Sequence, residues 1–315
     1  MSQLFPVSHA PHIRDKSSTN RIMLYVIIAL LPTTLFGIIN FGFSALLLVL
    51  VTIASAVLAE WAFNKITKRK ETIQDLSAVV TGLLLALNLP PTLPLWMGIL
   101  GSAFAIVVVK CLFGGLGQNF MNPALGARCF LLISFTGPMT TYATSVFDKT
   151  DAVSGPTPLA ILKAGQTVDT LQMLIGTIGG TIGETSVIAI LIGAIFLILM
   201  GVIDLRIPAS YLISFVVFIL LFGGHGFDLG FAVAQLCGGG IMLGAFFMAT
   251  DYSTSPITPR GKIVFGILLG VLNGLFRMFG ASAEGCSFAI IFGNLLVPLI
   301  ERVTIPKPFG KGGER

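Results

Sequence analysis

The residues best suited to chemistry lie in segment 151–159, which reads DAVSGPTPL within a long polar interruption of an apolar chain. The hydroxyl of Thr157 is a weak nucleophile unless a base activates it, and no nearby His or Lys is placed to do so. A hydroxyl that another enzyme modifies needs only exposure and a recognisable backbone shape. Gly155 permits close approach, and prolines on both sides of Thr157 hold the backbone extended. The segment therefore predicts either an ordinary turn or an attachment point for a covalent group.

Two further ionisable side chains lie where burial would be costly, which makes each a candidate binding residue. Arg128 falls within an apolar stretch and needs a carboxylate, a carbonyl or a ligand as partner. Asp251 follows another apolar stretch, and several hydroxyl side chains lie around it in segment 250–255. Carboxylate and hydroxyl oxygens are hard ligands that would suit Na⁺. The alternative for Asp251 is an ordinary role at the end of a helix.

Composition places these residues in a membrane protein. Hydrophobic residues make up 55% of the 315, charged residues only 10%, and the mean hydropathy is +0.94. Soluble domains average about a quarter charged residues, and apolar runs of roughly 20 residues span a bilayer. The chain is therefore expected to cross the lipid bilayer several times. Residues 1–20 have no apolar core or cleavage site of a signal peptide, so the first span is expected to direct insertion.

Other functional classes are disfavoured. The net charge of +5 comes from lysines and arginines spread between apolar runs, which argues against nucleic acid as a partner. The four cysteines are far apart and form no C-x-x-C pair, so no metal site is expected. The sequence has no P-loop, dinucleotide-binding or HExxH motif.

The predicted fold class is an all-α polytopic membrane protein with about ten transmembrane helices. The run lengths predict helices at 22–39, 41–63, 76–90, 93–113, 123–137, 186–203, 209–223, 229–250, 261–280 and 284–300.

Lysine and arginine are distributed unevenly between the loops, and cytoplasmic loops carry the excess of such residues. With the N-terminus inside, 15 of the 19 cations fall on the inner side and three on the outer side, with Arg128 inside a span. The inner cations are Arg14, Lys16, Arg21, Lys65, Lys68, Arg69, Lys70, Lys110, Arg206, Arg260, Lys262, Arg302, Lys307, Lys311 and Arg315, and the outer ones are Lys149, Lys163 and Arg277. Both termini are therefore expected in the cytoplasm, with Thr157 outside.

One long loop divides the predicted helices into two groups of five, so that the second group enters the membrane from the opposite face. The expected organisation is a cytoplasmic segment 1–21, a first membrane repeat 22–137, an extracytoplasmic loop 138–185, a second repeat 186–300 and a cytoplasmic tail 301–315. Helix-breaking sequences at Asn88 and Asp251 occupy similar positions in the two groups. They favour an inverted repeat with broken helices around a site near the midplane. The alternative is that they are ordinary loop signals.

Segment 151–157 resembles the flavinylation motif of the D subunit of the Rnf electron-transport complex and of the homologous B subunit of the Na⁺-translocating NADH:quinone reductase. That motif reads roughly D-x-x-S/T-G-A-T/S. Asp151, Ser154, Gly155 and Thr157 match it, and Pro156 replaces the usual Ala. The resemblance covers nearly the whole chain, and three further stretches carry it, at 81–90, 113–124 and 248–256. The length of the chain fits the Rnf D subunit better than the quinone reductase subunit, which has a longer N-terminal region.

The resemblance implies a cofactor. In that family the last hydroxyl of the motif is esterified to the phosphate of FMN, which here is Thr157, within the attachment motif of Asp151, Ser154, Gly155 and Pro156. A second, non-covalent flavin, riboflavin, is implied between the broken spans. The candidate residues for that flavin or for an ion path are Arg128, Asn122, Asn88 and Asp251.

The resemblance also implies an activity and partners. The complex would pass electrons between reduced ferredoxin and NAD⁺ and move Na⁺ or H⁺ across a bacterial cytoplasmic (inner) membrane. Its other membrane and peripheral subunits would include a second subunit with covalent FMN and iron–sulfur subunits, and a flavin transferase would act on Thr157 outside the cytoplasm. No catalytic residue is expected in this chain, because the flavin performs the redox chemistry.

Two other functions remain compatible with the residues. One is a channel or secondary transporter with a urea-transporter-like fold and no redox role, which would bind no flavin. The other is a scaffold for other subunits, in which replacing Thr157 by Ala would leave assembly and electron transfer intact.

Overall fold

A computed structural model describes residues 18–145, 154–224, 226–280 and 284–306 of the chain. These residues are largely helical. The helices are α1 (Thr19–Phe41), α2 (Phe43–Ile66), α3 (Ser77–Leu87), α4 (Leu95–Ala103), α5 (Pro123–Ser134), α6 (Thr136–Thr140), α7 (Pro158–Lys163), α8 (Thr170–Ile175), α9 (Val187–Leu199), α10 (Arg206–Phe222), α11 (Leu229–Cys237), α12 (Ile241–Leu243), α13 (Pro259–Phe279) and α14 (Cys286–Thr304), with a 3₁₀ turn at Ile73–Asp75. The strands β1 (Tyr142–Ala143) and β2 (Ser154–Gly155) form an antiparallel pair.

Four helices in the described ranges, α1, α2, α13 and α14, are long and apolar enough to cross a membrane, and a bent pair from α11 to Met248 would make a fifth. The shorter apolar helices are α3, α4 with its extension, α5, α9 and α10. Each predicted range overlaps one of these helices or the bent pair, and the described residues have the largely helical make-up expected of a multi-pass membrane protein. The third and fifth predicted helices end early, at Leu87 and Ser134.

The prediction of one continuous helix at 229–250 is wrong, because the chain bends by 70° within it. Three consecutive glycines lie at the bend, and Gly239 has a φ of +67°, which side chains disfavour. A Cβ on Gly239 would lie 2.5 Å from Leu159 of α7, and one on Gly240 would lie 2.6 Å from an oxygen of Glu184. The glycines therefore allow close packing against α7 and a buried carboxylate.

Two helices continue as π-helix, which the sequence pattern did not predict. Phe104–Cys111 extends α4, and Gly244–Met248 extends α12. Turns of π-helix are rare in proteins, and those that occur often lie at functional sites. Each of these segments is followed by a polar loop, and the two loops line the same pocket.

Three helices begin with a polar cap followed by proline, a pattern that can be read from the sequence. The side chain of Asn122 accepts the N–H of Ala124 at 3.1 Å at the start of α5. The hydroxyl of Thr258 accepts the N–H of Gly261 at 3.0 Å at the start of α13. Thr157 caps α7 in the same way.

Helices α10 and α13 pack closely because glycines recur every four residues on α13. These are Gly266, Gly270 and Gly274, which lie against Ser210, Ser214 and Phe218 of α10. A Cβ on Gly270 would overlap the Ser214 hydroxyl oxygen. Small residues at this spacing allow the backbones of membrane helices to approach one another.

The connection between α8 and α9 contacts the C-terminal ends of α1 and α3. Asn40, near the end of α1, donates to the carbonyls of Gly176 at 3.3 Å and Ile178 at 3.4 Å. The N–H of Gly183 donates to the carbonyl of Leu87 at 2.8 Å. Segment 138–185, which we expected outside the membrane, therefore packs in part against the ends of α1 and α3.

Candidate functional site

Thr157 lies at the start of α7, where its hydroxyl accepts the N–H of Ala160 at 3.3 Å. Pro158 occupies the first position of the helix. The sequence predicted an exposed hydroxyl on a turn, but Thr157 is only 8% exposed, because its side chain caps the helix and packs against neighbouring loops. Asp151 lies outside the described residues, as does the side chain of Ser154.

The described residues just before Thr157 form the end of a short strand and an exposed turn to α7. Gly155 pairs with Tyr142 across the two-stranded ladder, and Pro156 is exposed. Of the predicted attachment motif, the structure therefore describes a strand, an exposed proline and a capping threonine in succession.

A small cavity of about 10 Å³ lies next to Thr157, with Glu184 and Glu284 among its lining residues. Both carboxylates contact Arg128: the Nη2 atom of the guanidinium lies 3.2 Å from Glu184 and also binds Glu284. Glu184 and Arg128 are buried, and the Glu284 side chain is 15% exposed. The cavity has room for about one water and ends on a buried ion-pair cluster.

Arg128 has the partners that its burial requires. Its Nη1 atom donates to the Asn88 side-chain oxygen at 3.1 Å and to the Ser287 hydroxyl at 2.9 Å. The cluster joins the start of α14, the end of α3 and the body of α5. Two of the four residues expected at a second flavin or ion path, Arg128 and Asn88, therefore lie together near Thr157.

A second buried arginine lies close to the same cluster. Arg277 donates to the carbonyls of Gln235 and Gly238, at the bend after α11. A Cβ on Gly239 would meet both Arg277 and Glu284 within 4 Å, so the two side chains flank one glycine. The sequence assigned Arg277 to an outer loop, but it is 2% exposed.

The other two expected residues, Asn122 and Asp251, are not among the hydrogen-bond partners of Arg128. Asn122 donates to the Met248 carbonyl at 3.3 Å, where the start of α5 meets the second π-helical segment. Asp251 accepts the hydroxyls of Ser253 and Thr254, both at 3.1 Å. These carboxylate contacts cap the broken end of the chain after Met248. Asp251 thus lies among hydroxyl side chains after the second π-helical segment, as the sequence predicted.

A pocket of about 600 Å³ opens beside Asp251. Its lining includes Asn119, Tyr252, Asn294 and Glu301, and it also includes Thr19 at the start of α1. A narrower cavity of about 90 Å³ adjoins it and reaches Asn122 and Lys110. Pockets of several hundred Å³ with a few polar groups suit small organic ligands.

Thr157 and this pocket lie at opposite ends of α1. The pocket contacts the first residue of the helix, Thr19. The cavity at Thr157 is lined by Ile178, to which Asn40 binds near the other end. A helix of 23 residues is about 34 Å long, so the two features are separated by roughly the thickness of a membrane.

Sequence reasoning missed a buried ion pair in the first half of the chain. Lys110 lies in the first π-helical segment and was assigned to a cytoplasmic loop, but it is 2% exposed. Its ammonium binds both carboxylate oxygens of Glu60, at 2.9 and 3.0 Å, and the hydroxyl of Ser77. The only signal in the sequence was that each charge lies next to an apolar run. Among the described residues, no group of three or more His, Cys, Asp and Glu side chains could hold a metal ion.

The chain is similar over nearly its whole length to known proteins. It is 48% identical over 309 residues to the D subunit of the Na⁺-translocating ferredoxin:NAD⁺ oxidoreductase complex of Acetobacterium woodii, covering 96% of this chain and 95% of that protein. It is 39% identical over 319 residues to the D subunit of the proton-translocating ferredoxin:NAD⁺ oxidoreductase complex of Clostridium ljungdahlii, with coverage of 98% and 96%. The D subunit of an ion-translocating oxidoreductase complex from Actinobacillus succinogenes is 36% identical over 351 residues, with coverage of 98% and 99%. The model of the NQR2, RnfD, RnfE family matches residues 6–310. These matches confirm the resemblance read from the sequence, and the chain belongs to the NQR2, RnfD, RnfE family.

Proposed function

We propose that this chain is the D subunit of an Rnf-type complex that couples electron transfer between ferredoxin and NAD⁺ to Na⁺ or H⁺ translocation. The names of its relatives support the complex and its two substrates. They differ over the ion, and nothing in the cation-binding chemistry of the described residues selects Na⁺ over H⁺. The other subunits would supply a second covalent FMN and the iron–sulfur centres.

The observation that carries this proposal is the motif around Thr157, at the far end of α1 from the large pocket. We propose that Thr157 carries FMN through a phosphoester formed by a flavin transferase. When bound, FMN accepts and donates one or two electrons. The fit is partial: the hydroxyl suits an ester, but the cavity of about 10 Å³ beside it is too small for a flavin ring.

We also propose that a non-covalent riboflavin occupies the pocket of about 600 Å³ beside Asp251. Its volume suits a ligand of that size, and the buried side-chain oxygen of Asn119, which has no hydrogen-bond partner among the described residues, offers an acceptor. Asn122 and Asp251 lie at this pocket and its narrow extension. Arg128 and Asn88, which we first grouped with them, belong to the cluster near Thr157 instead.

The helix packing supports the expected topology of ten crossings in an inverted repeat. In the first half α2 packs on α4, and α4 packs on α5; in the second half α10 packs on α13, and α13 packs on α14. The first helices of the halves, α1 and α9, pack on each other. The shorter apolar helices are not long enough to span a bilayer alone, and we propose that each crosses the membrane together with the adjoining non-helical segment. We further propose that the membrane is the bacterial cytoplasmic membrane and that both termini lie inside.

The covalent flavin is tested on the intact complex purified from its native membrane. We expect ultraviolet fluorescence in the band of this chain on a denaturing gel. We also expect the mass of FMN minus water on Thr157 in the peptide that spans 151–163. The supernatant after acid precipitation should contain riboflavin. Thr157→Ala should abolish the fluorescence, whereas Thr157→Ser should retain it.

The matched control is Thr258→Ala, which also removes a cap from a helix that begins with proline. It should lose the cap but keep the fluorescence, since Thr157 is unchanged. A dark band with an unmodified peptide, from cells with an active flavin transferase, would contradict covalent attachment. A channel or a scaffold would then be the better interpretation.

A further inference from the structure

The loop that follows α2 concentrates positive charge at the surface. Four of the six residues 65–70 are cations, and all four side chains are exposed: Lys65, Lys68, Arg69 and Lys70. None of the ion pairs in the described part of the chain includes any of them. Glu71 follows as a single exposed carboxylate. The loop therefore presents an excess of positive charge.

The backbone of this loop is held in one conformation without help from the lysine side chains. The carbonyls of Phe63 and Asn64, near the end of α2, accept the N–H groups of residues 67 and 69 at 2.9 and 3.0 Å. Lys68 has a φ of 53°, which is uncommon for a residue other than glycine. Because the helix end is satisfied by the backbone, the lysine ammonium groups are left to face outward.

Arg69 has a different role from the three lysines. Its guanidinium donates to the carbonyl of Cys111 at 3.1 Å and lies over the ring of Phe63, 5.5 Å from its centroid. These contacts tie the loop to the end of the first π-helical segment. Arg69 anchors the loop, and the lysines supply the accessible charge.

The loop adjoins an exposed apolar surface at the end of α2. Leu58 and Trp61 of α2 are 62% and 41% exposed, and Ile66 at the end of the helix is 80% exposed. Lys65 lies over the ring of Trp61, 4.6 Å from its centroid. Tryptophan and lysine at the end of an apolar helix are typical of the interface between hydrocarbon and headgroups.

From this arrangement we infer that Lys65, Lys68 and Lys70, with Trp61 and Ile66 beside them, bind an anionic phospholipid. Its phosphate would contact the ammonium groups, and its acyl chains would lie along the exposed apolar face of α2. Basic residues next to a membrane helix attract anionic headgroups, and this attraction weakens over a distance of about one Debye length. The apolar face distinguishes a lipid from a free anion. The inference does not depend on the flavin.

The test uses the intact purified complex, delipidated in a neutral detergent and titrated with phosphatidylglycerol. Bound lipid is counted by native mass spectrometry. The variant replaces Lys65, Lys68 and Lys70 by Gln together. We expect its apparent affinity for phosphatidylglycerol to fall by about tenfold or more. Binding of phosphatidylcholine should be the same in both proteins, and added salt should weaken phosphatidylglycerol binding by the wild type.

The matched control removes the same charge elsewhere, with Arg21, Arg260 and Arg302 replaced by Gln; all three are exposed. It should bind phosphatidylglycerol within about twofold of the wild type. If the triple lysine variant fails to assemble, Lys65→Gln alone should still reduce the affinity by a factor of about two to five.

Three results would overturn the inference. One is equal binding of phosphatidylglycerol by the lysine variant and the wild type. Another is displacement of the lipid by millimolar inorganic phosphate, which would indicate a site for free anions. The third is loss of another subunit from the lysine variant with lipid binding unchanged, which would indicate an acidic protein surface as the partner.

Discussion

Arg128 is the side chain on which the buried polar contacts near Thr157 converge. It binds Glu184, Glu284, Asn88 and Ser287, and these residues come from separate segments of the chain. A buried charge without a partner is far more costly than a buried pair. Arg128 therefore fixes the relative positions of α3, α5 and α14.

Replacing Arg128 by Met should destabilise the protein by about 3–5 kcal/mol, because the buried Glu184 and the partly buried Glu284 lose their cation. The thermal unfolding of the detergent-solubilised complex measures this loss. Arg260→Met, at an exposed arginine, is the control and should have little effect. Adding Glu284→Gln to Arg128→Met should recover part of the loss. An unfolding temperature of the single variant equal to that of the wild type would contradict this role.

At the scale of elements, α10 and α13 pack tightly against each other in the second half of the chain. It depends on glycines that leave no room for a side chain. Gly270 is central, since a Cβ there would meet both the Ser214 hydroxyl and the Tyr211 carbonyl. The two helices therefore form one unit.

Gly270→Leu should separate α10 from α13 and cost several kcal/mol, because overpacking in a tight interface forces the backbones apart. The yield of folded complex and its unfolding temperature in detergent measure the effect. Val264→Leu adds bulk on the outer face of the same helix, where residue 264 is 47% exposed, and should be tolerated. Equal stability of the two variants would show that the interface is not tightly packed.

Sequence patterns predicted the positions of the helices along the chain better than they predicted which side chains are buried. The apolar runs located the ten longer apolar segments but not the short helices α7 and α8, which lie in the stretch expected to be a loop. Lys110 was misplaced in a loop because hydropathy does not reveal that an ion pair with Glu60 lets an ammonium group enter the core. At the bend, Gly239 packs closely against Leu159, which is distant along the chain, and no local pattern carries such a contact.

On the scale of the whole molecule, the two candidate sites lie at opposite ends of α1. The motif around Thr157 was readable in the sequence because it is local. The cluster around Arg128 was not, since Glu184 and Glu284 come from loops that fold back from distant parts of the chain. For the same reason, the sequence did not show that Arg128 and Asn88 lie in the cluster near Thr157 whereas Asp251 lines the large pocket.

The proposed orientation predicts which ends of the helices are accessible from outside the cell. Gln166 and Arg260 are exposed, and all four native cysteines are buried, so background labelling should be low. In whole cells a membrane-impermeant maleimide should label Gln166→Cys but not Arg260→Cys. Permeabilised cells should show labelling of both. The reverse pattern in whole cells would place Thr157 on the cytoplasmic side.

The capping contact of Thr157 has a consequence for the kinetics of maturation. Thr157 is only 8% exposed, and its hydroxyl accepts the Ala160 N–H, so the folded loop offers another enzyme little access to it. For the proposed attachment of FMN, we therefore expect the transferase to act on a locally opened form, in which α7 has begun to fray. The rate of attachment is then limited by how often this segment opens. Substitutions that tighten α7 should slow cofactor loading without touching the acceptor residue.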